Sequence, residues 1–181
     1  MTASASTIRR TTPADAETVT AMVREIAIHE DRAARVQVTD EHWRQLLDRP
    51  EVVVLLAGRD RDAIGYVSAV RRLHLWTGGD LLDLDDLHVR PGHRDAGVGR
   101  RLMAALAALA APEQLLIRRG MEVDDVDAQR FYRRLGATPR PEVLAAWAPA
   151  AYSARAVDHG PSREPGGNAG SSPVLTSNDQ P

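Results

Sequence analysis

The chain has neither cysteine nor lysine among its 181 residues, so all 23 of its basic Lys or Arg positions are arginines. Without cysteine it forms no disulfide, no thiolate metal site and no cysteine nucleophile. Without lysine it cannot use a Schiff base or a lysine general base. The chemistry must therefore come from other side chains or from the backbone, and we expect no metal centre.

Long apolar runs are also missing, and none reaches the length of a membrane span. The first residues do not show the basic and then apolar pattern of a secretory signal. The net charge of −2 gives no positive field for nucleic acid or an anionic membrane. We therefore expect a cytoplasmic protein with no nucleic-acid partner and no membrane partner.

Hydrophobic residues make up 43% of the chain and charged residues 27%, which is typical of a globular protein. At this length one domain can bury a core without disulfides or a metal. After Asp158 the sequence becomes rich in Gly, Pro, Ser and Asn, and such a segment buries little apolar surface. We expect a folded domain over residues 1–157 and a disordered tail over residues 158–181.

Hydrophobic periodicity predicts the element order β-α-α-β-β-β-α-β-α-β. The predicted helices cover residues 14–29, 40–48, 96–111 and 125–135. The predicted strands cover residues 7–10, 52–57, 63–75, 81–89 and 114–118, and a last strand is expected within residues 139–157, where the pattern fits either a strand or a helix. This order indicates an α/β fold with a mixed sheet and its chemistry at a strand-to-helix junction.

Residues 87–100 combine the end of a strand, a turn with glycines and the start of a helix. The first N–H groups of a helix have no intrahelical acceptor and lie at the positive end of its dipole. Gly97 and Gly99 lack a Cβ, so an anion can approach the backbone closely. The spacing is neither that of a Walker loop nor that of a dinucleotide fold. A pyrophosphate site is predicted, although glycines that only permit a tight turn into a buried helix would fit the same pattern.

The pattern Arg94-x-x-Gly97-x-Gly99 is similar to the Arg/Gln-x-x-Gly-x-Gly/Ala loop of the GNAT superfamily of N-acetyltransferases. Other segments resemble its diamine acetyltransferase-like branch in the same order along residues 7–138. Residues 84–89, Leu-Asp-Asp-Leu-His-Val, resemble a Leu-Glu-Asp-Leu-x-Val strand, and residues 128–137 resemble an Ala-x-x-Phe-Tyr-x-x-Leu-Gly-Ala helix. The opening strand and turn at residues 8–15 and a Trp-x-Gly at residues 76–78 also resemble the branch.

The resemblance implies an acyl-coenzyme A N-acyltransferase fold, a central mixed β-sheet flanked by helices, with acetyl-coenzyme A as the cofactor. The cofactor-binding residues that it implies are Leu87, Val89, Arg94, Asp95, Ala96, Gly97, Val98, Gly99 and Arg100. The side chains of Leu87 and Val89 can serve the core while their backbone serves the cofactor. Dimers are common in the branch, so a homodimer is the assembly that the resemblance suggests.

Tyr132 is the candidate general acid, because a phenol with a pKa of about 10 can protonate a leaving thiolate. A tyrosine at a helix surface is the alternative. Asp85 and Asp86 are candidates for binding the amine and accepting its proton. Adjacent strand residues point to opposite faces, so only one of them should face the cleft unless a bulge intervenes. A solvated acidic edge is the other interpretation of both.

Asp85 stands where the branch usually has Glu, and its shorter side chain favours a water relay. His88 and His93 are further candidate bases, ranked below the aspartates. Trp76 is a candidate wall of the acceptor pocket, and an aromatic residue that closes a hairpin is the equal alternative. Asp125 replaces the Asn that usually begins the last family helix, and its carboxylate would repel the cofactor phosphates.

The predicted function is acetyl transfer from acetyl-coenzyme A to the primary amine of a small acceptor, such as a polyamine or an amino acid, by direct attack. The cluster of Asp80, Asp83, Asp85 and Asp86 favours a cationic acceptor. Two alternatives stay open at this point. The chain is then a non-catalytic acyl-coenzyme A-binding module, or an acetyltransferase that acts on a protein or an antibiotic amine.

Overall fold

The computed structural model describes residues 6–60 and 62–156. Its strands are β1 (Thr7–Arg10), β2 (Val52–Arg59), β3 (Asp62–His74), β4 (Gly79–Val89) and β5 (Leu116–Arg119). Its α-helices are α1 (Ala16–His29), α2 (Asp40–Leu47), α3 (Val98–Ala110), α4 (Val126–Arg134) and α5 (Pro149–Ala156). The chain divides into two compact units, Met1–Pro139 and Arg140–Pro181, and the sheet and helices α1 to α4 belong to the first.

The five strands form one sheet in the order β1-β2-β3-β4-β5. Strands β1 to β4 pair antiparallel, whereas β5 runs parallel to β4. The parallel pairing extends only from Leu81 and Leu116 to Leu84 and Arg119, while β4 continues to Val89. Beyond Leu84 this edge of β4 has no partner strand in the described part of the chain, and we call the unpaired edge the opening between β4 and β5.

A separate hydrophobic core covers each face of the sheet. The α3-side core includes Leu55, Val67, Leu82, Leu84, Val98, Leu102, Leu106 and Tyr132. The α1-side core includes Val19, Met22, Val54, Leu56 and Tyr66, with Trp43 and Leu47 of α2 packed against it. Neighbouring strand residues contribute to opposite cores, as the alternation of side chains along a strand requires. This arrangement confirms the mixed sheet flanked by helices that the sequence predicts.

The predicted elements are confirmed through α4, with ends that differ by at most a few residues. The last predicted strand is wrong for the described residues, since residues 139–156 contain α5 and no strand. Pro149 begins α5, where its missing N–H costs nothing, and the alanines that follow favour a helix. The tail predicted over residues 158–181 lies outside the described residues. Within residues 6–60 and 62–156, no helix has the length and apolar character needed to cross a membrane.

Candidate active site

A β-bulge lies in β4 at the point where the sheet opens. Ala69 pairs with Leu84 and Ser68 pairs with Asp86, which leaves Asp85 as an extra residue on β4. The bulge changes the face that each later residue uses. Leu82 and Leu84 before the bulge, and Leu87 and Val89 after it, all contribute to the α3-side core. Both aspartates between them therefore lie outside that core.

Asp86 is anchored to the α1-side core. It accepts a hydrogen bond of 2.9 Å from the hydroxyl of Tyr66, and its N–H donates to the Ser68 hydroxyl at 3.2 Å. Tyr66 is completely buried, and this burial, followed by the charge of Asp86, raises the pKa of the Tyr66 phenol. The hydroxyl therefore remains a proton donor to Asp86 and fixes the orientation of the carboxylate.

Asp85 reaches solvent, and its carboxylate has no hydrogen-bond or ion-pair partner in the described part of the chain. Partial desolvation raises the pKa of its carboxyl group, and the neighbouring charges of Asp86 and Asp83 raise it further. Arg119 acts in the opposite direction. Of the two aspartates in the bulge, Asp85 is thus the more available to exchange a proton.

The two carboxylates that precede the bulge are paired with arginines. Asp80 contacts Arg71 at 2.6 Å, and Asp83 contacts Arg72 at 2.7 Å and Arg118 at 2.8 Å. Although burial opposes the change, the two arginines hold the pKa of Asp83 below its ordinary value. The acidic cluster predicted from the sequence is therefore largely neutralised at these two positions, and its attraction for a cation rests on the aspartates of the bulge.

Tyr132 lies on α4 and packs in the α3-side core with only 8% of its surface exposed. The ring of Phe131 meets its ring edge to face, with 5.2 Å between their centres. Burial raises the pKa of the Tyr132 phenol above its ordinary value, and the nearby Arg119 opposes this rise. The phenol is therefore protonated at neutral pH, and the alternative of a tyrosine at the helix surface is wrong.

The predicted phosphate loop turns into α3 through two residues with left-handed backbone, Asp95 (φ 60°) and Gly97 (φ 74°). Gly97 is the N-cap of α3, and no side chain caps the helix. The N–H of Arg101 is bonded to the carbonyl of Gly97 at 3.1 Å. The three N–H groups before it, from Val98 to Arg100, have no carbonyl four residues back within the helix. These groups and the dipole of α3 fit an anionic group such as a pyrophosphate.

The two glycines of the loop differ in their surroundings. A Cβ built at Gly97 would meet nothing within 4 Å, whereas one at Gly99 would lie 3.6 Å from Phe131 and 3.7 Å from Val89. A Cβ at Gly99 would thus make ordinary contact with these two side chains, and the open space expected at both glycines is found at Gly97. The argument that a missing Cβ makes room for a ligand therefore holds at Gly97 and not at Gly99.

The other predicted cofactor residues lie at the end of β4, in the loop that follows it and in the first turn of α3. Leu87 and Val89 pack partly buried against the α3-side core, while Asp95, Ala96 and Arg100 are exposed. The Nε of Arg94 donates a hydrogen bond of 3.0 Å to the carbonyl of Val89 and so ties the loop to the end of β4.

Trp76 and Asp125 are two further residues that the sequence analysis singled out. Trp76 is 96% exposed in the turn between β3 and β4, where its ring meets that of His74 with 6.5 Å between their centres. Even Gly79, where β4 begins, is six residues from Asp85, or roughly 20 Å along a strand. The structure thus does not bring Trp76 together with the aspartates. Asp125 caps α4 by accepting a 2.9 Å bond from the N–H of Ala128.

A half-buried polar cluster that the sequence analysis missed connects α1 to the end of β4. Arg90 holds Glu25 through two hydrogen bonds of 2.9 and 2.7 Å, and the Nε2 of His88 lies 3.6 Å from the same carboxylate. Burial lowers the pKa of His88, and Glu25 opposes this change. His88 is therefore a neutral, enclosed imidazole. No local sequence signal marks Glu25 as its partner, since the two residues lie on different elements.

Comparison with known proteins identifies the family. The model of the acetyltransferase (GNAT) family matches residues 20–137. No match was found among curated proteins. Among solved structures, a proposed acetyltransferase from Arthrobacter sp. FB24 is 30% identical, with a TM-score of 0.67, and the alignment covers 82% of this chain and 99% of that one.

Two more distant structures share the fold. The aminoglycoside acetyltransferase meta-AAC0020 from an uncultured soil metagenomic sample, solved with sisomicin, is 17% identical with a TM-score of 0.69, covering 79% of this chain and 95% of that one. The ribosomal-protein-alanine N-acetyltransferase of Brucella melitensis biovar Abortus 2308 is 19% identical with a TM-score of 0.65, covering 80% and 99%. Because the family model matches more than half of the sequence, this chain belongs to the acetyltransferase (GNAT) family and is an N-acetyltransferase that uses acetyl-coenzyme A.

Proposed function

We propose that this enzyme transfers the acetyl group to the primary amine of a small, cationic acceptor, with Asp85 as the proton acceptor and Tyr132 as the proton donor. The observation that carries the proposal is the bulge at Asp85. It places an acidic side chain next to the opening between β4 and β5, on the strand that leads to the phosphate loop. An amine that is positively charged at neutral pH is attracted to such a carboxylate.

Acetyl-coenzyme A, when bound, supplies the thioester whose acetyl group is transferred. The backbone N–H groups of Val98, Gly99 and Arg100 would hold its pyrophosphate, and the backbone of Leu87 and Val89 would lie along its pantetheine arm. These groups form no covalent bond in the reaction, and their contribution is to fix the position of the thioester.

Proton transfer falls to the two ionisable side chains. Asp85 accepts the proton that the ammonium must lose before its nitrogen can form the new C–N bond, either directly or through one water molecule. Tyr132 gives its proton to the sulfur as the C–S bond breaks. The raised pKa of Asp85 makes it a better base than an ordinary carboxylate, and the buried Tyr132 is fully protonated before the reaction.

The distribution of charge around the bulge favours a compact acceptor. With Asp80 and Asp83 paired to arginines, the negative charge available to an acceptor is confined to the bulge, which suits a compact amine such as a polyamine end or an amino acid. An aminoglycoside and an alanine of a protein are the competing acceptors, because an aminoglycoside acetyltransferase and a ribosomal-protein-alanine N-acetyltransferase share the fold.

The test is release of free thiol from acetyl-coenzyme A with a panel of acceptors: polyamines, amino acids, an aminoglycoside and a peptide that begins with alanine. We expect turnover with a small cationic amine, and strong loss of turnover in Asp85→Asn and Tyr132→Phe. Asp60→Asn is the matched control for Asp85→Asn, since it makes the same chemical change in the turn between β2 and β3, and it should keep full activity. Turnover only with the peptide would reject the small-acceptor proposal.

A further inference from the structure

Val89 is the last residue of β4, and its backbone faces the opening between β4 and β5. The next residue, Arg90, donates its N–H to the carbonyl of Ile64 on β3 at 3.0 Å. Along an antiparallel pair, the backbone groups of successive residues point alternately toward the partner strand and away from it. Because the N–H of Arg90 points toward β3, the N–H and carbonyl of Val89 point to the unpaired edge, where the Nε of Arg94 donates to that carbonyl at 3.0 Å. The position of these groups depends on how this end of β4 is held.

The side chain of Arg90 ties this end of β4 to two other elements. Its Nε and Nη2 donate to the two carboxylate oxygens of Glu25 on α1, at 2.9 and 2.7 Å. Its Nη1 donates to the carbonyl of Ala63 on β3 at 2.5 Å. The Nε2 of His88 is 3.6 Å from the Glu25 carboxylate, which is too far for a hydrogen bond, so Arg90 is the residue of this cluster that orients Glu25. One planar guanidinium therefore joins α1 and β3 to the residue directly after Val89.

The pair of Arg90 and Glu25 is suited to fixing a position more than to stabilising the fold. The two side chains are 34% and 37% exposed, and an ion pair with this much contact to water contributes little to stability. Its geometry is nevertheless specific, because each of the three guanidinium nitrogens donates to a different acceptor atom. An arginine that bonds a carboxylate with two parallel N–H groups adds a directional restraint that a single contact does not.

We propose that Arg90 and Glu25 are positioning residues for the cofactor, which fix the end of β4 so that the backbone of Val89 is presented to the pantetheine arm of acetyl-coenzyme A. The inference rests on the proposed function, because that function lays the Val89 backbone along the pantetheine. It gives α1, which contributes no residue to the predicted cofactor site, a part in cofactor binding. Neither side chain has to touch the cofactor for this role.

The main experiment measures kcat, KM for acetyl-coenzyme A and KM for the acceptor in Glu25→Gln. The amide has the size of the carboxylate, but one of its two ends is a donor and cannot accept from Arg90. We expect KM for acetyl-coenzyme A to rise about fivefold, the effect of losing a half-exposed ion pair, with kcat and KM for the acceptor unchanged. Glu113→Gln is the matched control. Glu113 accepts two bonds from Arg71, at 2.7 and 2.6 Å, near the other end of β3, and its loss should leave KM for acetyl-coenzyme A unchanged.

A double-mutant cycle tests whether the two residues act together. Arg90→Met removes the bonds to both Glu25 and Ala63, so it should raise KM for acetyl-coenzyme A more than Glu25→Gln does. Adding Glu25→Gln to Arg90→Met should have almost no further effect, because the pair is already broken. Should Arg90→Met not fold, Arg90→Lys takes its place, since it keeps the charge but not the planar fork, and we expect a KM above that of the wild type. A wild-type KM in Arg90→Lys would overturn the inference.

Hydrogen exchange separates positioning from a general loss of stability. The N–H of Arg90 is bonded to Ile64 at the cofactor end of the sheet, and the N–H of Arg71 is bonded to the carbonyl of Glu51 at 2.8 Å near the other end. In Glu25→Gln we expect exchange at Arg90, followed by NMR, to be about fivefold faster while exchange at Arg71 is unchanged. Equal acceleration at both amides would mean that the whole fold is destabilised, and it would overturn the inference, as would unchanged exchange at Arg90.

The outcomes also distinguish the inference from the proposed function. An unchanged KM for acetyl-coenzyme A in Glu25→Gln, an equal rise in Glu113→Gln, or a rise in KM for the acceptor instead would overturn the inference, and the roles of Asp85 and Tyr132 would be unaffected. Full activity in Asp85→Asn and Tyr132→Phe would reject the proposed proton transfer, whereas the role of Arg90 and Glu25 is still decided by KM for acetyl-coenzyme A.

Discussion

The hydroxyl of Tyr66 donates a 2.9 Å hydrogen bond to the carboxylate of Asp86, and through it a residue of the active-site bulge is bound to the α1-side core. Because Tyr66 is completely buried, loss of its acceptor would leave a polar group unsatisfied in the interior. This hydrogen bond therefore gives Asp86 a stabilising role that Asp85 does not have.

We predict that Asp86→Ala lowers the free energy of unfolding by about 1–3 kcal/mol, the cost of leaving a buried hydroxyl without an acceptor. Asp86→Asn retains an acceptor oxygen and should cost clearly less. Urea denaturation of both variants measures the difference. Equal stability of Asp86→Ala and the wild type would show that the bond has no structural role.

Activity should depend on Asp85 in a different way. A general base must be ionised, so kcat/KM should fall as the pH falls through the pKa of Asp85, which lies above the ordinary aspartate value. Asp85→Asn should lower kcat/KM by about 100-fold or more and remove this acidic limb. A pH–rate profile from about pH 4 to pH 9 checks both effects. If the acidic limb persists in Asp85→Asn, another group is the base.

The same residue should cost the enzyme stability. The folded-state pKa of Asp85 is raised, so the folded protein binds its proton more tightly than the unfolded chain. Ionisation at neutral pH therefore favours unfolding, and the penalty disappears at a pH below both pKa values. We expect Asp85→Asn to raise Tm at pH 7.5 and to have a smaller effect near pH 4. Scanning calorimetry at the two pH values tests this, and a lower Tm at pH 7.5 would contradict it.

Gly97 and Gly78 form a matched pair for testing the phosphate loop. Both have left-handed backbone, with φ of 74° and 67°, and neither has a heavy atom within 4 Å of a built Cβ. Valine at either position should therefore cause a similar loss of stability, about 1–2 kcal/mol or somewhat more for the branched side chain. Only Gly97→Val should abolish binding of coenzyme A in calorimetry. Unchanged affinity in Gly97→Val would reject the loop as the pyrophosphate site.

Substitution of Gly65 tests whether β3 and β4 must approach each other closely at this position. A Cβ at this position would lie 2.7 Å from the carbonyl oxygen of His88, whereas one at Gly58 would lie no closer than 3.7 Å to any atom. We expect Gly65→Ala to lower stability by about 1–3 kcal/mol by forcing the two strands apart. It should also weaken coenzyme A binding, because His88 precedes Val89. Gly58→Ala is the control, and chemical denaturation with calorimetry measures both properties.

Much of the fold could be predicted because its signals are local. The three- and four-residue spacing in α1 and the glycine-bearing turn before α3 each depend on a short segment of sequence. The loop at Arg94–Gly99 and the helix that carries Tyr132 could be predicted from the family resemblance, because each motif is also contained in a short segment. The last strand was predicted wrongly because residues 139–157 have no periodicity that distinguishes a strand from a helix.

The unpredicted features depend on pairing between distant segments. The aspartate pair in the sequence cannot reveal the bulge, because the extra residue is defined only by the register of β4 against β3. Asp80 and Asp83 form ion pairs with arginines on β3 and β5. These ion pairs reduce the negative charge of the acidic cluster that was inferred from the sequence. Arg119 likewise acquires its neighbours only when β5 is placed beside β4.

The bulge also bears on how this activity could be gained or lost. If Asp85 were removed, Leu82, Leu84, Leu87 and Val89 would follow one another at every second position, and β4 would be an uninterrupted strand with one face in the α3-side core. The proposed base is thus a one-residue insertion in an otherwise regular strand. Deletion of a single codon would leave a strand of regular pattern that retains the predicted phosphate loop and Tyr132 but lacks the proposed proton acceptor. Under the proposed mechanism, one small genetic change is therefore enough to lose the activity while the fold is kept.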